Sequence, residues 1–199
     1  MEESADMRYN KQLDFAGVTG VYGKLDLRGS VSMIIKPLET EDEIFGKAYV
    51  HCQAWKEAYA GLIDQDFLDS RTVEMSEQRA RKAFETGVLT LVAKDGDRVV
   101  GFVDYGPYRG EYLKDTGEVY AIYVLKEFYG KGVGYALMTK ALGALSEFRQ
   151  AAVWVLKGND RAVQFYERWG YHFDGQEQIL TLGTPVTVAR MILERYILC

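Results

Sequence analysis

Apolar and polar positions along the chain repeat with two different periods, and each change of period marks a predicted element. Short apolar runs bounded by glycine or charged residues predict strands, and apolar residues three and four positions apart predict helices. Strands are predicted at residues 33–37, 88–94, 98–105, 118–125, 151–156, 176–182 and 186–197. Helices are predicted at 41–59, within 62–69, at 73–86, after the glycines at 130–134, and after Asn159. This order predicts an α+β domain with a mixed sheet and helices on both faces.

The first 32 residues follow neither period. Glycines at positions 17, 20, 23 and 29 interrupt short alternating pieces there. The pattern is compatible with an accessory arm or a partly disordered leader, and also with an added edge strand or a dimer arm. We therefore divide the chain into an N-terminal extension of unknown role, residues 1–32, and one domain, residues 33–199.

Composition narrows the class of protein. A chain of 199 residues, 48% of them hydrophobic, is long and apolar enough to bury the core of one domain. The net charge of −5 argues against a general nucleic-acid or anionic-membrane surface. Two cysteines and two histidines show no metal-ligand spacing, so no metal is expected. With no signal-peptide pattern and no membrane-spanning apolar run, the expectation is a cytoplasmic enzyme.

A glycine-rich turn, Gly130-Lys131-Gly132-Val133-Gly134, lies between the predicted strand 118–125 and the helix after it. The first N–H groups of a helix lack internal partners, and the helix dipole is positive at that end. Glycines let the backbone approach an anion closely and adopt positive φ angles. The sequence therefore predicts a phosphate-binding turn at the start of this helix.

Two common phosphate loops are excluded by the spacing of these glycines. A P-loop requires Gly-x-x-x-x-Gly-Lys-[Ser/Thr], but Gly132 follows Lys131, and Leu125 stands at the position of the first glycine. A dinucleotide fingerprint requires Gly-x-Gly-x-x-Gly, and its third glycine position holds Tyr135 or Leu137, depending on the starting glycine. A nucleotide-phosphate enzyme of either kind is therefore the weaker interpretation.

The segment from Tyr129 to Gly134 resembles instead the pyrophosphate loop, Arg/Gln-x-x-Gly-x-Gly/Ala, of the GNAT superfamily of acetyl-CoA-dependent N-acetyltransferases. A second segment, from Asn159 to Tyr171, resembles that family's Asn-x-x-Ala-x-x-Phe-Tyr-x-x-x-Gly-Phe/Tyr signature. The predicted first helix, with Trp55 and Tyr59, is similar to the start of a bacterial subgroup that includes polyamine acetyltransferases. The resemblance covers residues 33–198, and Tyr129, where the family has Arg or Gln, is its one departure in the first motif.

The resemblance implies a GNAT fold, with a mostly antiparallel sheet, and a binding site for acetyl-CoA. Strand 118–125 is then the fourth of the sheet, and a bulge separates it from strand 151–156. The pantetheine arm of acetyl-CoA is expected to lie in that gap, with its pyrophosphate on the glycine turn. The implied cofactor-binding residues are Ile122, Tyr123, Val124, Tyr129, Gly130, Lys131, Gly132, Val133, Gly134, Tyr135 and Asn159. Asn159 has an alternative role as a helix N-cap, and Lys131 as a solvated loop charge.

Acetyl transfer to an amine requires a base for the ammonium, a donor for the oxyanion and a proton for the leaving thiolate. The resemblance places Tyr166 near the sulfur as the proton donor; the alternative is a core aromatic residue. Glu118 is the candidate base, and the alternative is a solvated carboxylate at a strand end. The oxyanion donor is expected to be a backbone N–H in the bulge, near Ile122.

The acceptor has no signature in the sequence. Trp55 and Tyr59, one helical turn apart, are core residues or else hold a cationic amine through cation–π contact. The function predicted is transfer of an acetyl group from acetyl-CoA to a primary amine of a small molecule or peptide, by direct attack in a ternary complex. The alternative is a non-catalytic acyl-CoA sensor of the same fold. The two C-terminal strands offer an edge for a homodimer.

Overall fold

The computed structural model describes residues 33–195. The predicted extension 1–32 and Cys199 lie outside this range. The strands are β1 Met33–Pro37, β2 Leu89–Asp95, β3 Arg98–Pro107, β4 Thr116–Val124, β5 Gln150–Leu156, β6 His172–Leu182 and β7 Thr184–Glu194. The helices are α1 Glu41–Tyr59, α2 Gln65–Asp69, α3 Val73–Glu85, α4 Val133–Ala144 and α5 Asp160–Glu167, and a 3₁₀ turn spans Lys126–Phe128. Every predicted element is present. α4 ends at Ala144, although apolar residues at helical spacing continue to Phe148.

The seven strands form one sheet in the order β1-β2-β3-β4-β5-β7-β6. The pairing of β4 with β5 is parallel, and the other neighbouring strands run antiparallel. The predicted mixed, mostly antiparallel α+β sheet is therefore confirmed. β6 is the edge strand nearest the C-terminus and is exposed along its length. The use of this edge in a homodimer stays a prediction.

Two adjacent residues of β3 show that helices cover both faces of the sheet. A Cβ placed on Gly101 would lie 3.2 Å from Leu137 of α4, whereas the ring of Phe102 lies 5.8 Å from that of His51 in α1. Because successive residues of a strand point to opposite faces, α4 and α1 pack on opposite sides. Within residues 33–195 no helix is long and apolar enough to cross a membrane.

The pairing between β4 and β5 is short. It joins Thr116 to Gln150, Gly117 to Ala151 and Glu118 to Ala152, and goes no further. On its other side, β4 pairs with β3 through a bulge, since the partners shift between Asp104 and Tyr105.

The bulged residue is Tyr120, because Ala121 and Val119 are the β4 partners on either side of the shift. A bulge bends its strand and increases the local twist. From this point β4 and β5 diverge and leave a V-shaped gap in the sheet, with its vertex at Glu118 and Ala152. The bulge and the gap predicted from the sequence are both present.

Candidate active site

A cleft of about 550 Å³ occupies the gap between β4 and β5. Its walls come from the end of α1, the second half of β4, the glycine turn with the start of α4, the second half of β5, and α5. The lining residues that the sequence predicted for the cofactor are Ile122, Tyr123, Val124, Tyr129, Gly130, Gly132, Val133, Gly134, Tyr135 and Asn159. Residues that lie far apart in the chain thus meet in one concave site.

The glycine turn forms one end of the cleft. Gly130 and Gly132 have φ angles of 73° and 79°, in the left-handed region where only glycine is unstrained. Gly132 is the N-cap of α4 and brings no side chain to cap it. The first helical hydrogen bond runs from the N–H of Ala136 to the carbonyl of Gly132, 2.9 Å away.

The N–H groups of the first turn of α4, from Val133 to Tyr135, therefore have no acceptor within the helix. All three of these residues line the cleft. Unsatisfied amides at the positive end of a helix dipole bind anions, and they fit a phosphate group.

The side of the cleft next to this turn is formed by the edge of a strand. Beyond Glu118, β4 is paired with β3 alone, and its second edge faces the gap. The backbone polar groups on that edge of Ile122 and Val124 have no neighbouring strand in the described part of the chain. Such an edge can pair with the amide groups of an extended ligand, as it would with another strand.

Tyr166 lies at the floor of the cleft and is 7% exposed. Its ring packs edge-on against those of Phe165 and Tyr171, at centroid distances of 5.4 and 5.7 Å. Burial, followed by the nearby hydroxyls of Tyr59 and Tyr171, raises the pKa of Tyr166 well above its ordinary value. The hydroxyl therefore keeps its proton near neutral pH and can act as a donor to a group within the cleft.

Comparison with known proteins agrees with this geometry. The model of the acetyltransferase (GNAT) family matches residues 52–171. An uncharacterized N-acetyltransferase of Bacillus subtilis, YuaI, is 32% identical over 130 residues, which are 64% of this chain and 74% of that protein. An uncharacterized N-acetyltransferase of Archaeoglobus fulgidus is 36% identical over 118 residues, 57% of this chain and 79% of that protein.

Among solved structures, the PaiA N-acetyltransferase of Thermoplasma acidophilum, crystallised in complex with coenzyme A, superposes with a TM-score of 0.62. It is 18% identical to this chain and covers 83% of it, and 99% of its own length is matched. At 18% identity, the likeness between the two structures shows that they share a fold.

The chain belongs to the GNAT acetyltransferase family. The predicted fold, the predicted activity of an acetyl-CoA-dependent N-acetyltransferase and the predicted co-substrate are thereby confirmed. The family and its relatives support acetyl transfer to an amine and not the alternative of a non-catalytic sensor. The observed cleft fits acetyl-CoA, because the uncapped start of α4 lies at one end of it and the unpaired edge of β4 runs along one side. The first suits the pyrophosphate, and the second suits the pantetheine arm.

The structure places Glu118 outside the lining of the GNAT cleft, although it was the candidate base. Its carboxylate is 2% exposed and accepts three hydrogen bonds from Arg109, from the backbone N–H at 3.0 Å, Nε at 3.3 Å and Nη2 at 2.7 Å. The Arg109 guanidinium also lies 4.1 Å from the ring centre of Tyr120, the bulged residue that lines the vertex of the cleft. A carboxylate engaged in this way is poorly placed to take a proton from an incoming amine.

Of the two aromatic residues proposed for the acceptor, Tyr59 lines the cleft, but Trp55 is absent from its lining. The guanidinium of Arg71 lies 3.9 Å from the centre of the Trp55 ring. That ring therefore already has a cation–π partner within the chain, so the hypothesis that it holds a cationic acceptor loses its support. The hydroxyl of Tyr59 lies 2.9 Å from that of Tyr123, at the side of the cleft.

Asn159 takes the N-cap role, and its place in the lining of the cleft is compatible with the cofactor role that was its alternative. Its Oδ1 accepts a hydrogen bond of 3.2 Å from the N–H of Ala162 and so caps α5. An amide side chain also carries an NH₂ donor, which takes no part in this cap. Asn159 lines the cleft, so its role in cofactor binding stays a prediction.

Lys131 does not line the cleft. It is exposed, and its ammonium lies 4.8 Å from the ring centre of Phe128, on the outside of the turn. The charged residues that do line the cleft are Arg161 and Arg168, both on or just after α5. Arg161 was not among the residues predicted from the sequence, and the signal that could have pointed to it is its place within the second motif, two positions after Asn159.

The histidine nearest the site is unsuited to act as a base. His51 packs against the rings of Trp55, Phe102 and Tyr123. Burial, together with the positive charges of nearby arginine and lysine side chains, lowers its pKa to about 3. Residues 33–195 contain no group of three His, Cys, Asp or Glu side chains that could hold a metal ion.

Proposed function

We propose that the chain transfers the acetyl group of acetyl-CoA to the primary amine of a small molecule or peptide, by direct attack within the cleft. The observation that carries the proposal is the meeting of three features in one gap of the sheet. These are the uncapped start of α4, the unpaired edge of β4 and the buried hydroxyl of Tyr166. The first suits the pyrophosphate of the cofactor, the second suits its extended pantetheine arm, and the third suits its leaving group.

The proposed reaction divides between these parts. The amine nitrogen, in its unprotonated form, forms a bond to the thioester carbon, and the carbon–sulfur bond breaks. Tyr166 gives its proton to the departing thiolate. The proton that the nitrogen then carries passes to water, and Tyr166 regains its own proton from water after the step. Backbone N–H groups at the bulge of β4, near Ile122, stabilise the negative charge on the carbonyl oxygen. The amine enters from the vertex side, where the lining residues next to the last paired positions include Tyr120, Val153 and Trp154.

An amine panel tests the proposed function. We expect thiol release from acetyl-CoA above a blank without amine for at least one class among amino acids, arylalkylamines, polyamines and peptides, with the acetylated product identified by mass spectrometry. Binding of CoA without acetylation of any panel member would contradict the proposal. The polyamine arm addresses the resemblance to the polyamine-acetylating subgroup directly.

For Glu118 we propose a positioning role, in which it holds Arg109 and thereby the bulged segment of β4. Replacing Glu118 by Gln is expected to lower the free energy of unfolding by about 1–2 kcal/mol, because the charged hydrogen bonds to Arg109 are weakened. The loss is no larger because Arg109 is half exposed and solvent screens its charge. The pH–rate profile should keep its acidic limb. Urea unfolding and kcat/KM from pH 5 to 9 measure the two effects.

The matched control is Glu177→Gln, which removes an exposed carboxylate paired with Lys157 at 2.8 Å. It should change stability by less than about 0.5 kcal/mol. Loss of the acidic limb in Glu118→Gln, with stability intact, would restore Glu118 as the general base and refute the positioning role.

A further inference from the structure

The first position of the glycine turn holds an aromatic ring, and an arginine from another element lies on that ring. Tyr129 occupies the position where the family pattern has Arg or Gln. The guanidinium carbon of Arg161, in the first turn of α5, lies 3.4 Å from the centre of the Tyr129 ring. Both residues line the cleft next to Gly130 and Gly132. A cation is therefore present at this end of the cleft, although it comes from a different part of the chain.

Stacking leaves the guanidinium able to bind a ligand. An arginine in contact with a ring uses its flat face, while its N–H groups point outward from its edge. Those donors suit the oxygens of a phosphate group, and two of them can bind it together. Within residues 33–195, no carboxylate pairs with Arg161, and no acidic side chain lines the cleft. The charge of Arg161 is thus not neutralised within the described structure.

Helix stability does not explain why a cation stands at this position. The N-terminal end of a helix dipole is positive, so a cation in the first turn of α5 is disfavoured there. Asn159 already caps this helix, and Asp160 supplies the favourable negative charge in its first turn. Contact with the Tyr129 ring offsets the unfavourable position and fixes the side chain over the mouth of the phosphate end.

We propose that Arg161, held on the ring of Tyr129, supplies the cationic contact to the pyrophosphate of acetyl-CoA that the first position of the glycine turn does not provide. Tyr129 is then the platform, and Arg161 is the group that touches the phosphate oxygens. The inference rests on the placement of acetyl-CoA proposed above. It adds a binding residue from the second motif to the site formed by the first.

Replacing Arg161 by Gln is expected to weaken binding of CoA by about tenfold, the loss of one charge-assisted contact at a partly exposed site. The affinity for dephospho-CoA, which keeps the pyrophosphate and lacks the 3′-phosphate, should fall by the same factor. The kcat/KM for S-acetylpantetheine, which has no pyrophosphate, should not change. Calorimetry of the two CoA forms and a thiol-release assay with the truncated substrate make these measurements.

The platform has its own test. Tyr129→Leu removes the ring and should weaken CoA binding by about fivefold, and Tyr129→Phe, which keeps the ring, should recover most of that loss. In the double variant Arg161→Gln/Tyr129→Leu the two losses should not multiply, because both remove the same contact. The charge control is Lys126→Gln, an exposed lysine of the 3₁₀ turn that does not line the cleft and should change CoA affinity by less than about twofold.

Three outcomes would overturn the assignment. Binding of CoA by Arg161→Gln within twofold of the native value would remove Arg161 from the site. Weakened binding of CoA but not of dephospho-CoA would move its contact to the 3′-phosphate. An equal loss with S-acetylpantetheine would show a structural effect. Failure of the proposed function differs from all three, since native protein would then bind CoA and acetylate no amine.

Discussion

Replacing Tyr166 by Phe is expected to lower kcat by about 100-fold, the lower end of the range for removal of a general acid. The dissociation constant of CoA should stay within about twofold of the native value, because the ring still fills the floor of the cleft. The variant keeps the contacts with Phe165 and Tyr171 and loses only the donor to the leaving thiolate. Single-turnover kinetics at saturating acetyl-CoA, with calorimetry of CoA, separate the two quantities.

The neighbouring Tyr171 offers a matched control. It is also buried, and its hydroxyl has no hydrogen-bond partner among the described residues. Tyr171→Phe likewise removes only a hydroxyl group, from a ring whose centre lies 5.7 Å from that of Tyr166. This variant should leave kcat unchanged. Stability should not fall either, since a buried hydroxyl without a partner costs free energy in the folded state. Equal losses in the two variants would show that packing, and not proton donation, underlies the effect.

The pH dependence follows from the environment of Tyr166. Burial raises its pKa, so the protonated form persists to higher pH than in an exposed tyrosine. The acid therefore stays available throughout the neutral and mildly alkaline range, and any alkaline limb of the rate should belong to another group. An alkaline limb present in the native protein and missing in Tyr166→Phe would contradict this assignment.

The sequence predicts the elements around the cleft because their patterns are local. The strand before the glycines, the turn itself and the helix after it each follow from composition and spacing over ten residues or fewer. Asn159 and Tyr166 were found in the same way, because a motif fixes them relative to one another. The confirmed fold then brings these two local patterns together through the parallel pairing of β4 with β5.

Contacts between distant segments were not predictable in this way. Arg109 reaches Glu118 because it follows β3, which pairs with β4 and brings the two together. Arg71 reaches Trp55 from the segment between α2 and α3. In both cases the sequence showed a candidate functional side chain but not the arginine that engages it. The contact of Arg161 with Tyr129 is of the same long-range kind, and in our proposal it compensates for the one departure from the first motif.

The glycine turn can be tested by a single methyl group. Gly132→Ala is expected to weaken CoA binding by about 5- to 30-fold, because a left-handed residue with a Cβ costs roughly 1–2 kcal/mol. The variant can relieve this strain by rearranging the turn in the free protein. Binding must then restore the native φ of 79° to present the amides of α4, so the strain appears in the dissociation constant. Calorimetry of CoA with the purified variant measures it.

Gly134→Ala adds the same methyl group two residues later and separates strain from bulk. A Cβ at Gly134 would lie 3.6 Å from Phe165, an ordinary contact, and the residue is within α4, where alanine is favoured over glycine. This variant should keep its melting temperature and lose far less affinity than Gly132→Ala. If both substitutions weaken CoA binding equally, the cleft is sensitive to any added volume, and the argument from the left-handed N-cap fails. If Gly132→Ala alone is affected, the backbone conformation of this residue is what presents the phosphate-binding amides.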